Sequence, residues 1–276
     1  MSPENIIKTR IRDLLYTPGQ WGEVAKGKGG QYTVAIVNSQ NVKQLAYFFS
    51  ANHSFDPNNE QYEKLRSFWK QFTEHADNPI VFMEGGIHPV LPNDEVAIRR
   101  ESESGLITRW AHELNIPIRS AEPPDLEQMQ QLSLTFSRDE IAYYHFIRSV
   151  HQWLGQGDNM KALDVFIGKT LEHYGKVWNW NDFDFSLEHM KQLHRTFTGS
   201  DFDSDLASQS RDYFLNIFIS IKDTSVINRI GSELATLRNI HMVALFLEAW
   251  QQGYSIFASL GGSHVILQER AVRTLL

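Results

Sequence analysis

The stretch Ser255-Ile-Phe-Ala-Ser-Leu-Gly-Gly-Ser-His264 constrains the fold most. Ser255 to Leu260 are all apolar or small, as a buried strand requires, two glycines follow, and Val265 to Leu276 carries apolar residues at helical spacing. A short apolar run, a glycine turn and a helix make one half of an α/β unit. Gly261 and Gly262 can take backbone angles that other residues avoid, so the chain can turn sharply there and another group can approach its backbone. His264 then stands just past the carboxyl end of a strand. That end is where open α/β sheets bind ligands.

Further units of the same kind recur along the chain. Tyr32 to Val37 and Val42 to Phe49 are predicted strands, and the second runs into Ser50-Ala-Asn-His53. Gly27, Gly29 and Gly30 form a turn ahead of the first strand, which is the wrong context for a dinucleotide fingerprint. Asn58 to Glu74 reads as an amphipathic helix with Tyr62, Leu65, Phe68, Trp69 and Phe72 on one face. Ile80 to Met83 is a strand that ends at Glu84-Gly85-Gly86. Asp94 to Leu114 reads as helix with a break near Gly105, and Ile116 to Ser120 is a strand closed by Glu122-Pro-Pro. From Leu126 to about Ser220 helical spacing dominates, including Met160 to Tyr174, and Val177 to Phe185 is an aromatic, acidic loop. Asp223-Thr-Ser is placed to cap a long helix from Val226 to Gln251 that Gly253 closes. The expected architecture is α/β: a central, mostly parallel or mixed sheet flanked by helices. One domain spans 1–276, with a helical insertion or cap at 126–222 before the last helix–strand unit.

Composition removes several classes of function. With 26 basic and 33 acidic residues the net charge is −7, and no basic stripe stands out, so a nucleic-acid partner is not expected. Cysteine is absent, which excludes disulfides and thiolate metal sites and leaves only His, Asp and Glu as metal ligands. No apolar run approaches the roughly 18 residues of a membrane span. The first residues carry no basic region followed by an apolar one, so a cytoplasmic protein is the expectation. The chain also lacks a Gly-x-x-x-x-Gly-Lys phosphate loop, a Gly-x-Ser-x-Gly elbow and a His-Glu-x-x-His helix.

Four predicted strands end in ionisable groups: His53, Glu84, Glu122 and His264. In a parallel sheet these ends share one edge. Two imidazoles with one or two carboxylates suit a divalent metal with open positions, or general acid/base work without metal. Singly, each has a structural reading. A lone histidine after a strand is usually a turn residue, Glu84 before two glycines can cap the next element, Glu122 is as readily solvated as functional, and Arg238 can be an ion-pairing helix residue. His88, His112, His145 and His241 read as structural or surface residues.

The order of these motifs resembles the Tiki/TraB superfamily, which takes in erythromycin-esterase-like and ChaN-like proteins. Its marks are two Gly-x-x-His motifs with a glutamate between them. Gly261-Gly-Ser-His264 matches the second, Val81-Phe-Met-Glu84 matches the glutamate strand, and Ser50-Ala-Asn-His53 departs from the first by its serine. Arg238-Asn239 resembles the Arg-Asn helix before the last strand. The resemblance covers 32–122 and 225–276. It implies hydrolysis of a peptide or ester bond at the sheet edge, with manganese or cobalt implied for the peptidase-like members. On that basis His53, Glu84 and His264 are the expected metal ligands or water-activating groups. Arg238 would steady an oxyanion or a substrate carboxylate, and Trp178 and Trp180 would contact a small-molecule or peptide substrate. A metal-free esterase and a non-catalytic binding protein that keeps the fold are the alternatives.

Overall fold

Five runs rich in Val, Ile, Phe and Ala pair into one sheet in the computed structural model, which describes residues 3–28, 32–41, 43–155 and 162–276. The strands are β1 (Thr33–Val37), β2 (Leu45–Ala51), β3 (Pro79–Met83), β4 (Ile118–Ser120) and β5 (Ser255–Gly261). Their order across the sheet is β1-β2-β5-β3-β4. Only β1 runs antiparallel to its neighbour, and the other pairings are parallel. The mostly parallel, helix-flanked sheet expected from the sequence is the one observed. β5, last in the chain, lies at its centre: Phe257 faces Tyr47 on one side and Val81 on the other. All seven of its residues are buried, as a strand covered on both faces requires.

Side-chain alternation splits this sheet into two cores. Phe48, Ile80, Phe82, Ile256, Ala258 and Leu260 project to one face. There they meet Ile11 and Leu15 near the first helix, α1 (Pro3–Leu14), and apolar residues of the C-terminal segment. After the short helix α2 (Trp21–Val24), two longer helices cover the other face: α3 (Gln61–His75) and α4 (Asp94–Glu113). They set Leu65, Trp69, Phe72, Leu106, Ile107 and Trp110 against Phe49, Val81, Met83 and Phe257. The buried stripe of α3 is the apolar face read from its periodicity, with Phe68 only partly buried.

Boundaries moved in places. β2 starts at Leu45 because Asn41 makes an Asx turn: its side chain accepts from the Lys43 amide at 3.2 Å, and its carbonyl accepts from the Gln44 amide at 2.9 Å. Val42, Gly29, Gly30 and Met160, which the sequence places in a strand start, a turn and a helix start, lie outside the described residues. The break expected at Gly105 falls instead at Glu101 and Ser102, where α4 leaves helical geometry; Ser102 has φ 52° and ψ −145°. Gly105 serves that kink differently. A Cβ there would lie 2.7 Å from the Glu101 Cβ and 2.8 Å from the Ala97 carbonyl oxygen, so only glycine fits. A serine at such angles costs about 1–3 kcal/mol. Ser102→Gly is therefore expected to raise the unfolding free energy by about 1 kcal/mol, read by denaturant titration; a loss of stability would show that this backbone is not strained.

The chain divides into two compact units, 1–123 with 238–276, and 124–237. The second is helical: α5 (Asp125–Leu132), α6 (Arg138–Leu154), α7 (Leu163–Trp178), α8 (Leu187–Thr198), α9 (Phe202–Ser208) and α10 (Arg211–Phe218), with the first half of α11 (Val226–Gln251). Ser225 caps α11 by accepting from the Asn228 amide at 3.1 Å, and Gly253 turns the chain after it with φ 85°. α12 (Gly262–Leu275) starts directly after β5, three residues earlier than the apolar spacing indicates. Among the described residues, no helix is long and apolar enough to cross a membrane.

Candidate functional site

The parallel strands deliver their following residues to one edge, and Glu84 is the point on which they converge. It follows β3 directly, and Gly85 and Gly86 behind it take φ values of 81° and 98°, which only glycine adopts without strain. Its Oε1 accepts from Arg238 Nη2 at 3.0 Å and lies 3.4 Å from His264 Nε2. Its Oε2 accepts from the Gly261 amide at 2.5 Å. Burial opposes the charge on Glu84. The hydrogen bond and charge of His264, then Arg238 and the Gly261 amide, outweigh burial and hold the carboxyl well below the usual carboxylate range. Arg238 comes from α11, and His264 and the Gly261 amide from the β5–α12 junction, so three segments distant in sequence meet at one carboxylate.

Each partner is itself held. Glu122, just past β4, takes Arg238 in a two-pronged pair, with Nε at 2.9 Å and Nη2 at 2.5 Å. Glu122, which the sequence leaves open between a solvated and a functional residue, is thus ion-paired with Arg238 at the strand edge. His264 is buried and donates Nδ1–H to the Asn239 side-chain oxygen at 2.7 Å, which also accepts from Gln268 at 2.6 Å. Arg238 and Asn239, adjacent on α11, therefore fix Glu84 and His264 respectively.

His53 approaches from β2. Its φ of 49° is left-handed, which is uncommon outside glycine, asparagine, aspartate and histidine. Its Nδ1 donates to Glu103 Oε1 at 2.7 Å, and Glu103 is almost fully buried. A carboxylate only accepts, so in the neutral imidazole it is Nε2 that carries the lone pair. The Glu103 hydrogen bond raises the His53 pKa more than burial lowers it, with the charges of Glu103 and Glu84 adding to the rise. A Cβ on Gly261 would lie 3.0 Å from His53 Nε2 and 3.1 Å from Glu84 Oε2. The two atoms flank one point beside the Gly261 Cα.

Gly261 and Gly262 are thus required for room. Gly261 has φ −55° and ψ 147°, open to any residue, so close approach and not backbone angle calls for glycine there. A Cβ on Gly262 would meet the Ser50 hydroxyl at 3.1 Å, so a buried serine fits the first motif because its neighbour is bare. Gly261→Ala is expected to cost about 1–3 kcal/mol by overpacking and to abolish whatever the site does. Thermal melts beside activity assays check this, and an unperturbed, active variant would show that the groups are not packed so closely.

A cavity of about 310 Å³ opens on this edge, lined by His53, Phe55, Glu84, His88, Arg100 and Glu101, with Ser102 and Ser104. His53 and Glu84 reach it; His264 and Arg238 stand behind Glu84 and do not line it. Arg238 spends Nε and Nη2 on two carboxylates, so it acts first on Glu84 and only through it on a ligand. Glu101, Glu103 and His88 were missed from the sequence, because helical periodicity sends Glu101 and Glu103 to different faces. His88 donates Nδ1–H to Glu101 at 2.9 Å. Trp178 and Trp180 are 2% and 7% exposed and belong to the aromatic core of the helical unit, against the expectation that they contact substrate.

Among the described residues, no group of three or more His, Asp or Glu side chains is arranged to hold a metal ion. Both Glu84 oxygens are already engaged, and Arg238 holds a positive charge against one of them. His53 and His264 each have the anchored Nδ1 that a metal-binding imidazole uses. Comparison with protein-family models, with curated proteins and with solved structures finds no match to this chain.

Proposed function

We propose that the chain is a hydrolase of ester or amide bonds that works by general acid/base chemistry, as the erythromycin-esterase-like branch of the Tiki/TraB resemblance implies. One observation carries the reading: His53 Nε2, with its Nδ1 tied to a buried carboxylate, stands beside the ionised Glu84 on the wall of a cavity. That is the arrangement of a base with its orienting group. A water between His53 Nε2 and Glu84 Oε2 gives its proton to His53 as its oxygen attacks the substrate carbonyl. Glu84 orients the water, while Arg238, His264 and the Gly261 amide keep Glu84 ionised. Arg100 lines the same cavity and makes no ion pair among the described residues, so its cation is available to the negative charge that develops on the carbonyl oxygen. Phe55, largely exposed at the rim, offers an apolar contact to the acyl part.

A panel of esters and amides, assayed with the wild type and His53→Asn, tests this. Turnover that survives a chelator and is lost in the variant is the expected result. Turnover that a chelator removes and manganese restores would instead support the metal-assisted reading. Tight binding of the same compounds with no turnover under either condition would make the chain a binding protein.

A further inference from the structure

Resting on the hydrolase reading, we propose that His88 is a second catalytic residue, the group that passes a proton to the leaving atom while His53 takes one from water. The reason lies in α4. Residues two apart on a regular helix point to opposite sides and do not share a face. Yet Glu101 and Glu103 each bind a histidine that lines one cavity: Glu101 holds His88 at 2.9 Å, and Glu103 holds His53 at 2.7 Å. The non-helical backbone at Glu101 and Ser102 makes this possible. The strained turn thus converts one helix into a holder for two imidazole–carboxylate pairs. Both histidines have Nδ1 tied in the same way, which leaves both Nε2 atoms for other partners. His88 Nε2 lies 3.8 Å from where a Cβ of Gly85 would stand, so it borders the glycine turn that follows Glu84.

Two such pairs in one cavity match the two proton transfers of hydrolysis. Water loses a proton to His53 Nε2 as its oxygen bonds to the carbonyl carbon. The bond from that carbon to the leaving oxygen or nitrogen breaks, and the leaving atom takes the Nε2 proton of His88, which enters the cycle as the imidazolium with Nδ1–H on Glu101. Exchange with solvent returns one proton to His88 and removes one from His53. The charged and titratable groups that share the cavity with His88 are Arg100 and Glu101 from α4, Glu84 after β3 and His53 after β2. Glu101 is a positioning residue for His88.

Substrates of one acyl group with different leaving groups test the assignment. A p-nitrophenyl ester leaves as a stable anion, whereas a methyl ester needs the proton. His88→Gln is expected to lose about 100-fold in kcat/KM on the methyl ester and only a few-fold on the p-nitrophenyl ester. Glu101→Gln should move the same ratio in the same direction, which a merely structural ion pair would not do. Equal losses on both esters, or no loss, would overturn the role of His88 while leaving that of His53 intact. Absence of wild-type turnover on either ester would overturn the hydrolase reading and this assignment together. Should His88→Gln fail to fold by circular dichroism, His88→Asn and Glu101→Gln give the same ratio.

Discussion

Replacing Glu84 with alanine is expected to cost about 3 to 5 kcal/mol of folding stability, the range for removing one partner of a buried charge pair. Glu84 is only 17% exposed and Arg238 20%, so solvent screens this cluster weakly. The truncation strips Oε1 from Arg238 and His264 and Oε2 from the Gly261 amide at once. Glu122 still holds Arg238, which keeps the loss near the lower end of the range. Glu84→Gln keeps the shape and an acceptor for Gly261, so it should cost about 1 to 3 kcal/mol. The pH dependence has a definite sign. Glu84 titrates lower when folded than unfolded, so its contribution is fully present above the ordinary carboxylate range and is lost progressively as pH falls below that range toward the lower folded value. The gap between wild type and Glu84→Ala, measured by denaturant unfolding, should therefore narrow below about pH 4. A gap under about 1 kcal/mol at neutral pH, or one that ignores acid, would mean that the three donors do not converge on this carboxylate.

His53→Asn is expected to lower kcat/KM by about 100- to 10,000-fold, the usual worth of a positioned general base. Asparagine is the appropriate replacement because it tolerates the left-handed backbone that His53 adopts. The variant also takes the donor away from the buried Glu103 carboxylate, so it should lose about 1–3 kcal/mol of stability, and kcat/KM is compared on the folded protein. A base acts when deprotonated. Because Glu103 raises the pKa of His53, the acid limb of the kcat/KM profile should lie above the ordinary histidine value of about 6.5. Glu103→Gln removes the largest cause of that rise and should move the limb to lower pH. A limb that stays in place in Glu103→Gln would remove His53 as the titrating group.

The strand ends were legible because a parallel sheet leaves little choice. Once each apolar run is followed by a helix, the residues after the runs share an edge, and His53, Glu84, Glu122 and His264 follow from counting. The partners that tune them were harder to read. Asn239 sits next to Arg238, but nothing in its spacing says that it faces His264 across to α12. Glu101 and Glu103 were hidden because periodicity assumes helical backbone, and at Ser102 that assumption fails. Gly105 signalled an irregularity nearby, but it marks the tight approach over the kink and not the kink itself. His88 was set aside as background because four residues of turn separate it from its strand; only the folded loop carries it back to the cavity. Trp178 and Trp180 were assigned to substrate because aromatic residues beside acidic ones resemble a binding loop, whereas the helical unit spends both on its own core.

Carbon-detected NMR titration of the Glu84 side-chain carboxyl, assigned by its loss in Glu84→Gln, measures the convergence directly. A carboxyl that stays ionised well below the ordinary value of about 4.3 is the expected result, because His264, Arg238 and the Gly261 amide all favour its charge. Titration at or above that value would show a carboxylate without its three donors, and a site assembled from three distant segments would be contradicted.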